Sequence, residues 1–351
     1  MNRNMRPRFS RLLLLHIPPL MLCALLIAVL SACTGGFSAE AVSARTASTA
    51  ISGKNADEEA TGAPAQKEPI EQASSAHTVS SADQPASVLR QDALKKQAEE
   101  VSALYGVKIL YGEDVPLSFA DYTVKHLAAP GPVREALETL ADTLALYPPT
   151  FFPSVCEDFC DTVTICLAKD LQAVNGDVHM EYVNAFTTVQ DGTIWLVLDA
   201  QNAIRSSTLI HEITHVTDYR LLGMQQLRES EWNQLNPPGF AYYDAYLDDA
   251  GRDLRISGSG EYTSQTEEDP SRIYFHDSYS RTYAMEDRAR LMESLFESDL
   301  SGIPDPCFSS PHVQTKLRFY FYTLRQAFAN GRWPEETAWE AAFRRAVSGE
   351  N

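Results

Sequence analysis

Thr208-Leu209-Ile210-His211-Glu212-Ile213-Thr214-His215-Val216-Thr217-Asp218 is the stretch from which the rest of the chain is read. Leu209, Ile213 and Val216 recur at helical spacing and give it an apolar face. Residues four apart share one side of a helix, so His211 and His215 can turn two imidazole nitrogens onto one cation about 2.0–2.1 Å away. Glu212 stands beside them, where the HExxH pattern puts the carboxylate that takes a proton from a metal-activated water. Just before, Gly192-Thr193-Ile194-Trp195-Leu196-Val197-Leu198-Asp199 reads as a strand. A strand feeding the helix favours a metal site over a chance pair of structural histidines.

Outward from this helix the pattern is α+β. Residues 186–198 read as a hairpin turning at Asp191-Gly192, and 107–111 and 162–167 as further strands. Residues 88–104 and 132–146 read as helices, the second with Val133, Leu137, Leu140 and Leu144 on one face and Pro132 in its first turn. On the other side, Leu291, Leu295 and Phe296 mark a helix from about Met285. Leu317, Tyr320, Phe321, Leu324 and Phe328 mark another. Residues 88–351 are enough for one two-lobed domain: an α/β lobe over 88–203, the metal helix over 204–222 and a helical lobe over 223–351. The proline and aromatic loop at 231–243 has two readings, a ligand contact or a turn pinned by core aromatics.

The N-terminus reads as an address. Arg3, Arg6, Arg8 and Arg11 precede an apolar run over 12–30. Leu30-Ser31-Ala32-Cys33 resembles the lipobox of bacterial lipoproteins, which implies a signal peptide over 1–32 and a mature chain beginning at lipid-modified, palmitate-type Cys33. An uncleaved anchor is the other reading of that run. Either way the remainder is expected outside the cytoplasm, tethered to a membrane. Residues 33–87, rich in Ala, Ser, Thr and Gly, read as a flexible tether. The chain carries 47 acidic against 29 basic residues, a net charge of -18. Loss of residues 1–32 removes four arginines and no acid, which argues further against nucleic acid as a partner.

Cys156, Cys160, Cys166 and Cys307 are an even set in a chain expected to be exported, so two disulfides are expected, with three possible pairings. Cys156, Cys160 and Cys166 could instead share a metal, though their spacing fits no strong zinc pattern.

A catalytic zinc takes three protein ligands and keeps one position open. Asp218 and Leu221 stand where a metzincin would have Gly and a third ligand, so the third ligand must lie further on. Ser278-Tyr279-Ser280-Arg281-Thr282-Tyr283-Ala284-Met285-Glu286-Asp287-Arg288-Ala289-Arg290 supplies candidates. Ser-Tyr-x-Arg-Thr followed by this Glu, together with HExxHxxD over His211 to Asp218, resembles the peptidase domain of the anthrax lethal factor type, including secreted Pro-Pro endopeptidases. The resemblance covers about 25 residues in two blocks. More loosely, lipobox, tether and domain together are similar to zinc-binding lipoproteins of gut-type bacteria.

The resemblance implies a zincin-like gluzincin fold and one Zn2+ per chain, held by His211, His215 and Glu286. It further implies Glu212 as general base, Tyr279 as donor to the oxyanion, and a structural or histidine-supporting role for Asp218. The relatives have two aromatic residues after the Glu where this chain has Asp287 and Arg288, which leaves Asp287 and Glu293 as other candidate ligands. Glu293 lies seven residues beyond Glu286 on the same helical face, placed either to hydrogen-bond a ligating histidine or to face solvent. The expected activity is that of a surface-anchored zinc metallopeptidase acting as a monomer on extracytoplasmic peptides or proteins. The alternative is a lipid-anchored binding protein that keeps the peptidase fold without turnover.

Overall fold

Alternating apolar residues in the first half of the domain build a sheet, and helical periodicity in the second half covers one of its faces. The computed structural model describes residues 86–174, 181–248, 250–257, 260–329 and 331–349. The expected signal peptide, Cys33 and the tether as far as residue 85 lie outside the described residues.

Helix α1 (Ala86–Tyr105) leads into β1 (Lys108–Tyr111), β2 (Ser118–Phe119) and β3 (Tyr122–His126). Helices α2 (Pro130–Leu144) and α3 (Phe151–Cys156) follow, then β4 (Thr162–Ala173), β5 (Glu181–Tyr182), β6 (Ala185–Gln190) and β7 (Thr193–Asp199). The rest is helical: α4 (Ser206–Gly223), α5 (Glu229–Asn233), α6 (Leu254–Ser257), α7 (Ala284–Ser301), α8 (Pro311–Phe328) and α9 (Ala338–Ser348). The molecule is thus a mixed α/β protein in which, among the described residues, all seven strands precede α4, compatible with the expected α+β class. Among the described residues no helix is long and apolar enough to cross a membrane.

The strands form one curled sheet in the order β2-β3-β4-β7-β6, with β1 and β5 also paired to β4. β4 pairs in parallel with β1 and β7, whereas β6 and β7 form the expected hairpin in the register Ala185↔Leu198 to Gln190↔Thr193. Its two-residue turn has φ of 51° at Asp191 and 74° at Gly192. Two positive values are what a type I′ turn requires, which is why a short polar side chain followed by glycine closes it.

The two faces of the sheet bury different cores. Val163, Ile165 and Leu167 of β4, with Ile194, Leu196 and Leu198 of β7, pack into the large core shared with the helices. The residues between them, Cys166, Ala168 and Val197, face a smaller core lined by Phe119, Tyr122 and Phe186. Tyr122 stacks on Phe186 with ring centroids 3.9 Å apart. With both faces covered, β4 is buried almost continuously, so its sequence lacks clean alternation. It runs six residues beyond its expected end.

The expected disulfides are not formed: all four cysteines are free thiols. Cys166 lies in the smaller core and Cys307 in the larger, so the sheet separates them. The same separation removes the alternative metal site, because Cys156 and Cys160 pack on the larger core and Cys166 faces away from it. Only Cys156 and Cys160 are neighbours, with sulfurs 3.1 Å apart.

Candidate metal centre

Helix α4 is buried nearly all round, from Ser207 to Asp218, between the sheet and the helical half. A helix so enclosed must satisfy its polar side chains from within the protein. Thr214 and Thr217 donate back to their own helix, at Ile210 O (2.9 Å) and Thr214 O (2.7 Å). The histidines and Glu212 reach across to other elements.

His211 Nε2 and His215 Nε2 lie 3.0 Å apart. Glu286, in the first turn of α7, brings Oε2 to 3.2 Å from the first and 3.6 Å from the second. Three donors, each about 2.0–2.1 Å from a tetrahedral cation, would stand about 3.3 Å apart, so the triangle has the size that such an ion needs. Glu286 Oε2 is buried without a hydrogen-bond donor of good geometry among the described residues, as an oxygen reserved for a cation would be. Two imidazoles and a carboxylate form a donor set suited to a divalent metal. The buried cluster His211, His215 and Glu286 can therefore hold a metal ion.

The groups behind the triad orient it. His211 Nδ1 donates to Glu293 Oε2 at 3.0 Å, which frees Nε2 for the cation. Burial opposes ionisation of Glu293, but Arg290 and His211 outweigh it and hold the carboxyl below its usual range. Arg290 also pairs with Asp277 at 2.7 Å, so the acceptor is itself fixed. In His211, burial likewise opposes charge, yet the adjoining Glu286 and Glu293 carboxylates bring its pKa up to about 10. A cation arriving at neutral pH therefore displaces a proton.

Tyr246 donates to Glu286 Oε1 at 2.7 Å and leaves Oε2 to face the histidines. Replacement by Phe keeps the ring, which packs 4.9 Å from Tyr283 and 6.0 Å from Tyr279, and removes only this bond. Tyr246→Phe should weaken metal binding by about 10–100-fold, read by competition with a coloured chelator; unchanged affinity would show that the hydroxyl does not tune the ligand.

Glu212 Oε2 accepts a hydrogen bond from Thr187 Oγ1 of β6 at 2.7 Å, so the sheet holds the candidate base. Burial raises the Glu212 pKa, partly offset by His215 and His211. Tyr279 lies parallel to His211, with centroids 6.0 Å apart. Burial, reinforced by the charge on Glu286, pushes its phenol well above the usual pKa, so it stays a proton donor.

The two acids whose roles were open are placed by one buried network. Asp218 accepts from Arg288 Nε at 2.7 Å and from Tyr320 at 3.2 Å, and makes no hydrogen bond to His215, whose Nδ1 has no partner among the described residues. Asp287 is turned away from the triad onto Lys316 at 2.7 Å, Tyr242 at 2.7 Å and Trp232 Nε1 at 3.0 Å. Trp232 sits between the two cations, its ring 5.3 Å from Arg288 and 5.6 Å from Lys316. Asp287 and Arg288 thus form ion pairs joining α4, α7 and α8.

The aromatics of the loop at 231–243 belong to this packing and pin the turn. Phe240 lies 4.6 Å from Phe275, and Tyr242 reaches Asp287. His276 pairs with Asp305 at 3.2 Å, away from the triad, and Cys307 completes a second cluster with them.

Sequence reasoning alone leaves Tyr246 and Thr187 out, because each meets its carboxylate from a distant part of the chain. Comparison with family models, curated proteins and solved structures gives no match for this chain.

Proposed function

We propose that this protein is a zinc-dependent metallopeptidase with a zincin-like, gluzincin-type site, anchored through lipid on Cys33 to a bacterial membrane and acting outside the cytoplasm. One observation carries the reading. The Nε2 atoms of His211 and His215 and Oε2 of Glu286 converge within 3.0–3.6 Å, beside a buried Glu212 that no metal-binding role requires.

A bound zinc would supply Lewis acidity, polarising a scissile carbonyl and acidifying water. Glu212, steadied by Thr187, takes the water's proton and passes it to the leaving amine. Its raised pKa suits that return step. Tyr279, kept protonated, donates to the oxyanion as charge develops there. Tyr246 and Glu293 hold the ligands in place and touch no reacting atom.

A second reading has its own support. His211, Glu212 and His215 are 0% exposed and Glu286 1%, the enclosure expected of a structural metal site in a lipid-anchored binding protein.

Elemental analysis of the purified full chain and a mixed peptide library separate the two readings. One zinc per chain with cleavage that stops on chelation and returns with zinc supports the peptidase. One zinc with an untouched library favours the binding protein, and a folded chain without metal rules out the peptidase.

A further inference from the structure

Cys156 closes α3, and Cys160 follows one turn later. In a regular helix, side chains four apart have Cβ atoms about 5–6 Å apart, wider than the ~3.8 Å of a disulfide. Here the chain leaves the helix immediately after Cys156. Asp158 takes a left-handed φ of 59°, and Phe159 N and Cys160 N both bond back to Cys156 O at 3.0 and 3.1 Å. The tightened turn brings the two sulfurs to 3.1 Å, about 1 Å longer than an S–S bond. Both thiols are partly exposed, whereas Cys166 and Cys307 are fully buried.

The same turn carries Phe159 onto the end of the metal helix. A Cβ on Gly223, the last residue of α4, would run into the Phe159 ring, so glycine there makes room for it. The Arg220 guanidinium covers the same ring at 5.9 Å. The turn is thus a wedge between α3 and the C-terminal end of the helix that bears His211 and His215.

We propose that Cys156 and Cys160 form a reversible intrachain disulfide that locks the Phe159 wedge against the end of α4. The co-reactant is a disulfide, from a small molecule or an oxidoreductase. Cys160 is the attacking thiol. Its pKa is lowered first by the hydrogen bond with Cys156, against the effect of burial, and Arg220 acts in the same direction. The Cys160 thiolate attacks one sulfur of R–S–S–R and expels RS⁻. The Cys156 thiolate then attacks the Cys160 sulfur of the mixed disulfide and expels the second RS⁻. Two protein thiols lose two electrons and two protons, and the external disulfide gains them as two RSH.

The closed ring is short, so its effect on the unfolded chain is small and the consequence is local. The test equilibrates the full chain in glutathione redox buffers, then blocks free thiols, reduces and labels. The expected result is that Cys156 and Cys160 alone among the four domain cysteines carry the second label, at the cost of two hydrogens in intact mass. Amide exchange at 157–160 and 220–223 should slow at least several-fold in the oxidised form. Cys156→Ser and Cys160→Ser should each abolish both effects. Free Cys156 and Cys160 thiols under oxidising buffer, or a bond to Cys166, Cys307 or a second chain, would overturn the bond. A Cys156–Cys160 bond that leaves exchange at 220–223 unchanged would overturn the lock.

Discussion

Glu212→Gln is expected to keep its metal and lose about 10²–10⁴-fold in peptide cleavage, the contribution of a positioned general base. The substitution is nearly isosteric, and Thr187 can donate to the new side-chain oxygen as it does to Glu212 Oε2 at 2.7 Å. The three donors, His211, His215 and Glu286, are untouched, so zinc content should match that of the parent. Only the capacity to take a proton is removed. Equal zinc with activity reduced to the chelated background is the expected pair of results. Parent-level cleavage would remove Glu212 from the mechanism.

The second large effect concerns stability. Lys316 is fully buried, with Nζ 2.7 Å from Asp287 and 2.9 Å from the carbonyl of Tyr274. Lys316→Met should cost about 3–5 kcal/mol, because it strands the buried charge of Asp287. Adding Asp287→Asn keeps an acceptor for Tyr242 and Trp232 and removes that charge, so the double variant should recover much of the loss. Denaturant midpoints at fixed zinc measure both.

The pH dependence has a definite sign. Burial already raises the Asp287 pKa even with Lys316 beside it. In Lys316→Met that pKa rises further, so the folded state binds the proton more tightly than the unfolded state does. The stability this provides is complete below the unfolded carboxyl pKa and is lost as pH rises through the folded one. The deficit of Lys316→Met should therefore shrink as the pH is lowered from 8 toward 5. A deficit that is independent of pH, with no recovery in the double variant, would mean that lost packing outweighs charge.

What the sequence made legible was local. Leu209, Ile213 and Val216 marked the metal helix, and Asp191-Gly192 marked the turn of the hairpin that leads to it, because helical periodicity and left-handed backbone each leave a mark within a few residues. Glu286 and Glu293 shared a helical face, and the structure brings both to His211. β2 and β3 went unseen, since two short strands against a curled sheet carry too few alternating residues. Tyr246 meets Glu286 from 40 positions away, and Lys316 meets Asp287 from 29. Pairings at that range follow from how helices pack, and no spacing rule encodes them. The same holds for the cysteines: an even count invited two bridges, but the sheet lies between Cys166 and Cys307.

The Trp232 network also bears on how the fold is reached. Asp218, Asp287 with Arg288, and Lys316 come from three different helices, and Trp232 comes from a fourth. An intermediate that docks some of these helices and leaves one out would carry a charge in an apolar setting with no counter-ion. Such species are penalised, so docking of the three charge-bearing helices should be all-or-none. His211, His215 and Glu286 sit on two of those helices, α4 and α7. The donors are therefore assembled by the same cooperative step that closes the helical half, before any metal has to bring them together.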